Sequence, residues 1–248
     1  MAIYPELKGR SVAITGAAAG IGQAAAREFA AQGSKVFLLD LDPSVHKVAS
    51  GIDGAVGITV DITNETEVVA SFNTIAAAGG LDVLINCAGG YRKLLSVEQM
   101  DAEEWDRTVA LNLRSVFLCC RSAIPMLKTS KAGRIINVTS ISGRTVHAAS
   151  SPAYGAAKAG VTQLTRFLAF ELGPHGVTAN TIAPLTTLTA RVVALRTAED
   201  IQKIASQVPL RRLAKVEDHV AAMLYLSSDG ASFVSGVSLD TNGGRAML

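Results

Sequence analysis

Short, largely apolar runs alternate along the chain with longer stretches in which apolar residues recur at helical spacing. The runs fall at residues 11–15, 35–39, 55–60, 82–86, 133–139, 177–182 and 237–240, and their apolar character is that of parallel strands buried on both faces. The helical stretches lie between them at 20–32, 65–78, 102–128, 154–172 and 216–228. A strand, a helix and a second strand close through a right-handed crossover. The repeated order therefore predicts an α/β fold, a doubly wound parallel β-sheet of about seven strands with helices on both faces. No repeat, linker or low-complexity segment interrupts it, and residues 1–248 are expected to form a single domain.

Candidate chemistry begins where the first run ends. Ser11-Val12-Ala13-Ile14-Thr15 passes directly into Gly16-Ala17-Ala18-Ala19-Gly20-Ile21-Gly22 and then into an alanine-rich helix. Glycines let the backbone turn tightly and let a pyrophosphate approach the amides at a helix N-terminus, where the dipole favours an anion. The spacing alone also suits a plain tight turn. With a second strand closing on Asp40, it predicts a Rossmann-like, dinucleotide-binding sheet, whose ligand lies beyond the carboxyl ends of the strands. Asp40, 20 residues beyond Gly20, is placed to accept hydrogen bonds from an adenosine ribose and to repel the phosphate that NADP carries there. Ala17, Ala18, Ala19, Leu41 and Asp42 offer no cation to offset that repulsion, so NAD is expected over NADP. The alternative is that Asp40 merely ends a strand and caps the next segment.

A second signal is Tyr154-Gly155-Ala156-Ala157-Lys158, with Ser140 fourteen residues before the tyrosine. In a helix, Tyr154 and Lys158 share a face, separated by about 6 Å of rise. A free phenol titrates near ~10, and a neighbouring ammonium is expected to lower that value towards the working range of an acid-base catalyst. Ser140 could hold the reacting oxygen. The pentapeptide by itself fits an ordinary helix surface equally well.

From about residue 7 to residue 244 the chain resembles the short-chain dehydrogenase/reductase family. Thr15-Gly16-x-x-x-Gly20-x-Gly22 resembles the family's cofactor loop, and Asn86-Cys87-Ala88-Gly89 its Asn-Asn-Ala-Gly element with one substitution. Ser140, Tyr154 and Lys158 match the catalytic serine, tyrosine and lysine, and Asn112 the helix asparagine that completes a tetrad. The resemblance implies that Asn112 faces inward, bends its helix and holds a water linking Lys158 to solvent, and that Lys158 binds the nicotinamide ribose. It places Gly16, Ala19, Gly20, Ile21 and Gly22 at the cofactor, with Asp40 and Leu41 at the end of the second strand. Asp61 and Ile62 come next, at the adenine, and Asn86, Ala88 and Gly89 lie at the adenosine and ribose. Asp61 could equally cap a helix. Asn180 to Thr189 resembles the family's Pro-Gly element against the nicotinamide, except that Leu185 stands where glycine is usual. Pro184, Thr187 and Thr189 are the implied contacts there; residues 185–209 have few strong core positions and read as a substrate lid, or alternatively as a solvated surface helix.

Composition narrows the classes without naming a substrate. Of 248 residues 49% are apolar, enough for a large core, and the formal charge of +2 includes no basic block, so neither nucleic acid nor an anionic membrane is expected as a partner. No run looks long enough to span a bilayer and the start lacks a signal peptide's regions, so a cytoplasmic location is expected. The three cysteines, Cys87, Cys119 and Cys120, are expected to be reduced and buried, and no metal site is predicted. His46, His175 and His219 read as surface or loop residues; His147 is a candidate for the pocket wall. Tyr91, Arg92 and Arg144 could meet a polar or acidic substrate group or be plain surface residues. Apolar residues on more than one face of the helices at 102–128 and 154–172 (Val116, Phe117, Leu118, Phe167, Leu168, Phe170) predict self-association, and the resemblance implies a homotetramer. The expected activity is NAD-dependent interconversion of a small-molecule secondary alcohol and a ketone. A 3-oxoacyl carrier-protein reductase is the alternative enzyme, and a catalytically silent dinucleotide sensor the alternative of another class.

Overall fold

The computed structural model describes residues 1–146 and 150–247, with the backbone alone for Arg191 and Leu195. Seven parallel strands, β1 (Ser11–Thr15), β2 (Lys35–Asp40), β3 (Val56–Thr59), β4 (Val83–Asn86), β5 (Arg134–Val138), β6 (Thr178–Pro184) and β9 (Ser238–Thr241), form one sheet in the order β3-β2-β1-β4-β5-β6-β9. A second, two-stranded ladder pairs β7 (Thr187–Leu188) with β8 (Ala214–Lys215).

Alternation along the strands divides the core. Val12, Ile14, Leu38, Val83 and Ile85 face α1 (Gly20–Ala31), α2 (Val45–Ser50) and α9 (Val216–Ser227). Ala13, Phe37, Leu39, Leu84 and Ile135 face the other layer, α3 (Glu65–Ala77), α5 (Ser115–Thr129) and α6 (Pro152–Leu172). This two-sided cover is why β1, β5 and β6 are buried at every position and read as apolar runs. Each large side chain fully buried there, such as Phe29 or Leu84, contributes roughly 2 kcal/mol. The strand order reverses between β1 and β4, so the loops leaving these two strands lie side by side and open a crevice.

Several sequence expectations need revision. The stretch 102–128 is not one regular helix: α4 (Ala102–Val109) and α5 are joined by a π-helical turn, Ala110–Arg114. The composite Ala102–Thr129 spans 28 residues with a best-window mean hydropathy of 1.2, so it does reach the length and apolarity of a membrane-crossing helix, contrary to expectation. Here it is interrupted by the π turn, and Val116, Leu118, Cys119, Ala123 and Leu127 pack into the core. Helix α2 comes after Asp40 unannounced; six residues are too few for a clear periodic signal. Residues 185–209 fold into β7, α7 (Ala190–Leu195) and α8 (Ala198–Ser206), the last started by a capping box between Thr197 and Asp200. Of the apolar residues expected to be surplus, Val116, Leu118 and Leu168 belong to the core, whereas Phe117, Phe167 and Phe170 are exposed. His219 is fully buried rather than superficial, and His147 lies outside the described residues.

Candidate active site and cofactor cradle

At the reversal point the two loops are tied by a side chain of β1. Thr15 Oγ1 accepts from the amides of Cys87 (3.1 Å) and Ala88 (3.2 Å). Gly16 packs so closely that a Cβ there would lie 2.8 Å from Ala88 Cα, and a Cβ on Gly22 would lie 2.2 Å from the Gly16 carbonyl oxygen. Glycine is needed because two backbones meet. Helix α1 starts behind the exposed Ala19, which supplies no side-chain acceptor, whereas α3, α4 and α8 are capped by Asn64, Asp101 and Thr197. The first-turn amides around Gly20, Ile21 and Gly22 therefore have no side-chain cap, and this bare, glycine-lined helix end fits a pyrophosphate.

Asp40 ends β2 with both oxygens turned to nearby amides, Oδ2 accepting from Ala18 (2.9 Å) and Oδ1 from Asp42 (3.0 Å). Its carboxylate thus braces the glycine loop as well as the turn after β2, and Leu41 beside it is exposed. Asp61 Oδ1 accepts from the amide and hydroxyl of Thr63 (2.8 and 2.7 Å), while the cap of α3 is Asn64, so Asp61 is not the helix cap. Ile62 is buried in the core beneath that turn. The Asn86 side chain points into the protein, donating to Asn137 Oδ1 (2.8 Å) and Cys120 Sγ (3.3 Å), away from the expected ribose contact. Thr189 caps α7 through Val192, and its methyl lies 3.6 Å from where a Gly20 Cβ would be, which sets it over the cradle.

The tetrad residues meet behind this cradle. Asn112, fully buried in the π turn, clamps Gly90 by accepting from its amide (2.9 Å) and donating to its carbonyl (2.7 Å), and also donates to Thr108 O (2.8 Å). Gly89 is required by contact: a Cβ would lie 2.6 Å from Asn112 Oδ1 and 3.1 Å from Lys158 Nζ. Lys158 donates to Val138 O (2.7 Å), with its nitrogen 5.6 Å from the Tyr154 ring centroid. Ser140 starts a short turn, accepting from Ser142 N (3.2 Å), and hydrogen-bonds Tyr154. Tyr91 stacks obliquely on Tyr154, with centroids 5.2 Å apart.

Burial dominates the electrostatics. It pushes the Tyr154 phenol up to about 12, against the opposing pull of its bond to Ser140. It also pulls the Lys158 ammonium down to about 8. The expectation that Lys158 lowers the phenol's pKa is therefore not met. The ammonium is aimed at the Val138 carbonyl, and desolvation of the phenol outweighs its charge. Cys87 in the cleft wall is half-buried rather than buried as expected, unlike Cys119 and Cys120, and desolvation pushes its thiol up to about 12, so it is neutral.

Leu185 needs no glycine geometry, since among the described residues Arg211 is the non-glycine with positive φ. It is buried between Ile141, next to Ser140, and Val208 at the base of 185–209. The turn it occupies is fixed by a chain that sequence reading missed. Thr187 Oγ1 donates its single proton to Leu185 O (2.9 Å), which makes His219 Nε2 the donor to Thr187 Oγ1 (2.8 Å) and leaves Nδ1 to accept from Thr241 (2.9 Å). Burial depresses this histidine to about 4, so it is neutral at pH 7. A lone histidine in an apolar helix gave no signal of this; only its partners on β7 and β9 do.

The resulting cleft, about 340 Å³, is walled by Ile21, Cys87, Gly89, Ser140, Tyr154, Lys158 and Pro184, together with Leu185, Thr186, Thr187, Val192 and Arg196. A larger cavity of about 470 Å³ lies beyond Leu185 and contains none of the tetrad.

Residues 16–246 match the family profile described as enoyl-(acyl carrier protein) reductase. The chain is 36% identical over 240 residues to a cis-4-hydroxycyclohexanecarboxylate dehydrogenase of Sinomonas cyclohexanicum, covering 95% of this chain and 96% of that one. It is 31% identical over 239 residues to a 2-dehydro-3-deoxy-L-rhamnonate dehydrogenase (NAD(+)) of Sphingomonas sp. strain SKA58, covering 96% and 95%. Among solved structures, a 3-oxoacyl-[acyl-carrier protein] reductase with bound NAD from Brucella melitensis superposes with a TM-score of 0.89 at 30% identity, covering 99% of this chain and 94% of that one.

Proposed function

Since the chain belongs to the short-chain dehydrogenase/reductase family of oxidoreductases, we propose that it interconverts a secondary alcohol and a ketone with NAD as hydride carrier. The observation that carries this reading is the meeting of Ser140, Tyr154 and Lys158 on one cleft wall beside a helix end without a side-chain cap. A nicotinamide bound there supplies or accepts the hydride. In the reducing direction the carbonyl carbon gains the hydride with its electron pair, and Tyr154 gives its proton to the oxygen, so a C–H and an O–H bond replace the C=O π bond. With its phenol at about 12, Tyr154 holds the proton it must donate. Ser140 Oγ, having two lone pairs and one proton, can hold the reacting oxygen while keeping Ser142 N. Lys158, still charged below about pH 8, returns charge to the phenolate left behind and is the residue we assign to the nicotinamide ribose. Asn112 fixes the Gly90 backbone next to Gly89, which packs against Lys158, and we assign to it the water that restores the proton.

Asp40 supports NAD over NADP. A second anion about 4 Å away would cost roughly 1 to 3 kcal/mol in a partly solvated cleft. The further contacts we assign to the cofactor are Ile21, Leu41, Asp61, Ile62, Ala88, Pro184, Thr187 and Thr189, with backbone alone from Asn86. Residues 185–209 serve as the lid, and exposed Phe117, Phe167 and Phe170 support pairing into a homotetramer. Incubating the purified protein with NAD and a panel of secondary alcohols, while following NADH, tests the reading. Turnover is expected; nucleotide binding without turnover across alcohols and ketones, with NAD or NADP, would replace it by that of a silent sensor.

A further inference from the structure

We propose that the substrate of this cleft is an anion and that Arg196, at the end of α7, holds its carboxylate; this rests on the alcohol–ketone reading and names its substrate class. Among the described residues that line the cleft, the charged side chains are Lys158 and Arg196, and none is an aspartate or glutamate. Lys158 is buried and spoken for, bonded to Val138 O beside the phenol. Arg196 is exposed on the lid side of the opening. Other arginines are in ion pairs: Arg144 with Asp240, Arg212 with Asp218, and Arg121 with Glu65. No such pair joins Arg196 to a carboxylate among the described residues. The acid that feels its charge, Asp200, is fully solvated and has its Oδ2 engaged by the amide and hydroxyl of Thr197. That carboxylate serves the start of α8 and screens Arg196 only from a distance.

A second observation points to an oxygen-rich ligand. Ser150 Oγ is buried against the same cleft and has no hydrogen-bond partner among the described residues. A buried hydroxyl without a partner is unfavourable, and a substrate oxygen would relieve it. Between these polar points the walls are Ile21, Val138, Ile141, Pro184, Leu185 and Val192. The shape therefore suits an apolar ring or short chain with a secondary alcohol at the tyrosine and a carboxylate at the mouth. A guanidinium presents a planar fork that matches a carboxylate with two parallel hydrogen bonds, and its single charge matches the carboxylate's.

The test has a binding arm and a turnover arm. Calorimetric titration of cyclohexanecarboxylate and cyclohexanecarboxamide into the NADH-saturated protein should show the acid binding roughly 10- to 100-fold more tightly. Arg196→Ala and Arg196→Gln should abolish that difference, and Arg196→Lys should keep part of it. In turnover with NAD, the ratio of kcat/KM for 4-hydroxycyclohexanecarboxylate over its methyl ester should fall by a similar factor in Arg196→Ala. An acid-to-neutral ratio that is the same in wild type and Arg196→Ala, or a wild type that favours the amide, overturns the proposal. If the acid binds selectively through Arg196 but no alcohol is oxidised, the redox reading fails and the anion site stands. If the alcohols are oxidised without regard to charge, the reverse holds.

Discussion

The two halves of the sheet meet the cleft by different means. On the β1–β2 side the chain offers backbone: glycines that let two loops touch, and a helix start whose amides have no side-chain cap. On the β5–β6 side it offers side chains whose protonation is moved by burial, Tyr154 up to about 12 and Lys158 down to about 8. One neighbour sharpens the contrast. Helix α3, in the same half as α1, ends its first turn on Asn64 Oδ1 and so satisfies its own amides. The α1 start lacks the side-chain cap that α3 carries, and Tyr154 is desolvated where it faces the cleft.

If the halves are separable, changing the reagent must spare the cradle. Tyr154→Phe keeps the ring against Tyr91 and removes the proton donor, so turnover should fall by about 10³-fold. Binding of NAD, measured by calorimetry, should change little. Retention of more than about a tenth of wild-type turnover, with chemistry rate-limiting, would break the assignment.

A second test reaches the turn behind Leu185. Folded His219 titrates at about 4 and the unfolded residue near 6.5, so between those values the unfolded chain binds more protons. Its contribution to stability is fully present above pH 6.5 and falls by up to about 3 kcal/mol as pH drops towards 4. Urea midpoints at pH 7 and pH 4.5 should therefore differ less in His219→Gln than in wild type. An equal pH dependence in the two proteins would show that the buried pair with Thr187 and Thr241 does not titrate as derived.

Asp40 belongs to the cradle side and should act chiefly on cofactor choice. The wild type is expected to favour NAD by roughly ten- to a hundred-fold in kcat/KM, and Asp40→Ala to narrow that ratio. Because Asp40 also holds Ala18 N, some loss of affinity for both cofactors should accompany the change. A wild-type preference for NADP would reverse the reading.

The smallest expected effect is the control. Asn64→Ala removes the α3 cap and should cost about 1 kcal/mol of stability, read from the urea midpoint, with no change in affinity for NAD. A comparable loss of cofactor affinity would mean that the two helix ends are not as distinct as their caps suggest.

Much of this was legible in the chain because it is local. Apolar runs at 11–15, 82–86 and 133–139 sit within a residue or two of strands that are covered on both faces, and such strands leave the plainest pattern. Glycine spacing marked the cradle because its cause, backbone meeting backbone, lies within seven residues from Gly16 to Gly22. What escaped depends on distant partners. The resemblance anticipated a bend at Asn112, but the apolar spacing, read as one helix over 102–128, did not mark the π turn itself. His219 looked superficial because its bonds run to Thr187 and Thr241, 32 and 22 residues away.

The sequence by itself determined the alternation of the seven sheet strands with the longer helices and the glycine turn, since these come from residue type and short-range spacing. The tertiary structure alone decided the electrical state and the surroundings of the side chains at the cleft. Desolvation, not the neighbouring ammonium, governs the free phenol of Tyr154; Leu185 is accommodated by Ile141 and Val208; and Arg196 stands at a cleft with no acid in its described lining. Each of these is set by groups brought together from far along the chain, and neither burial nor the absence of a counter-charge can be read from the residue that experiences it.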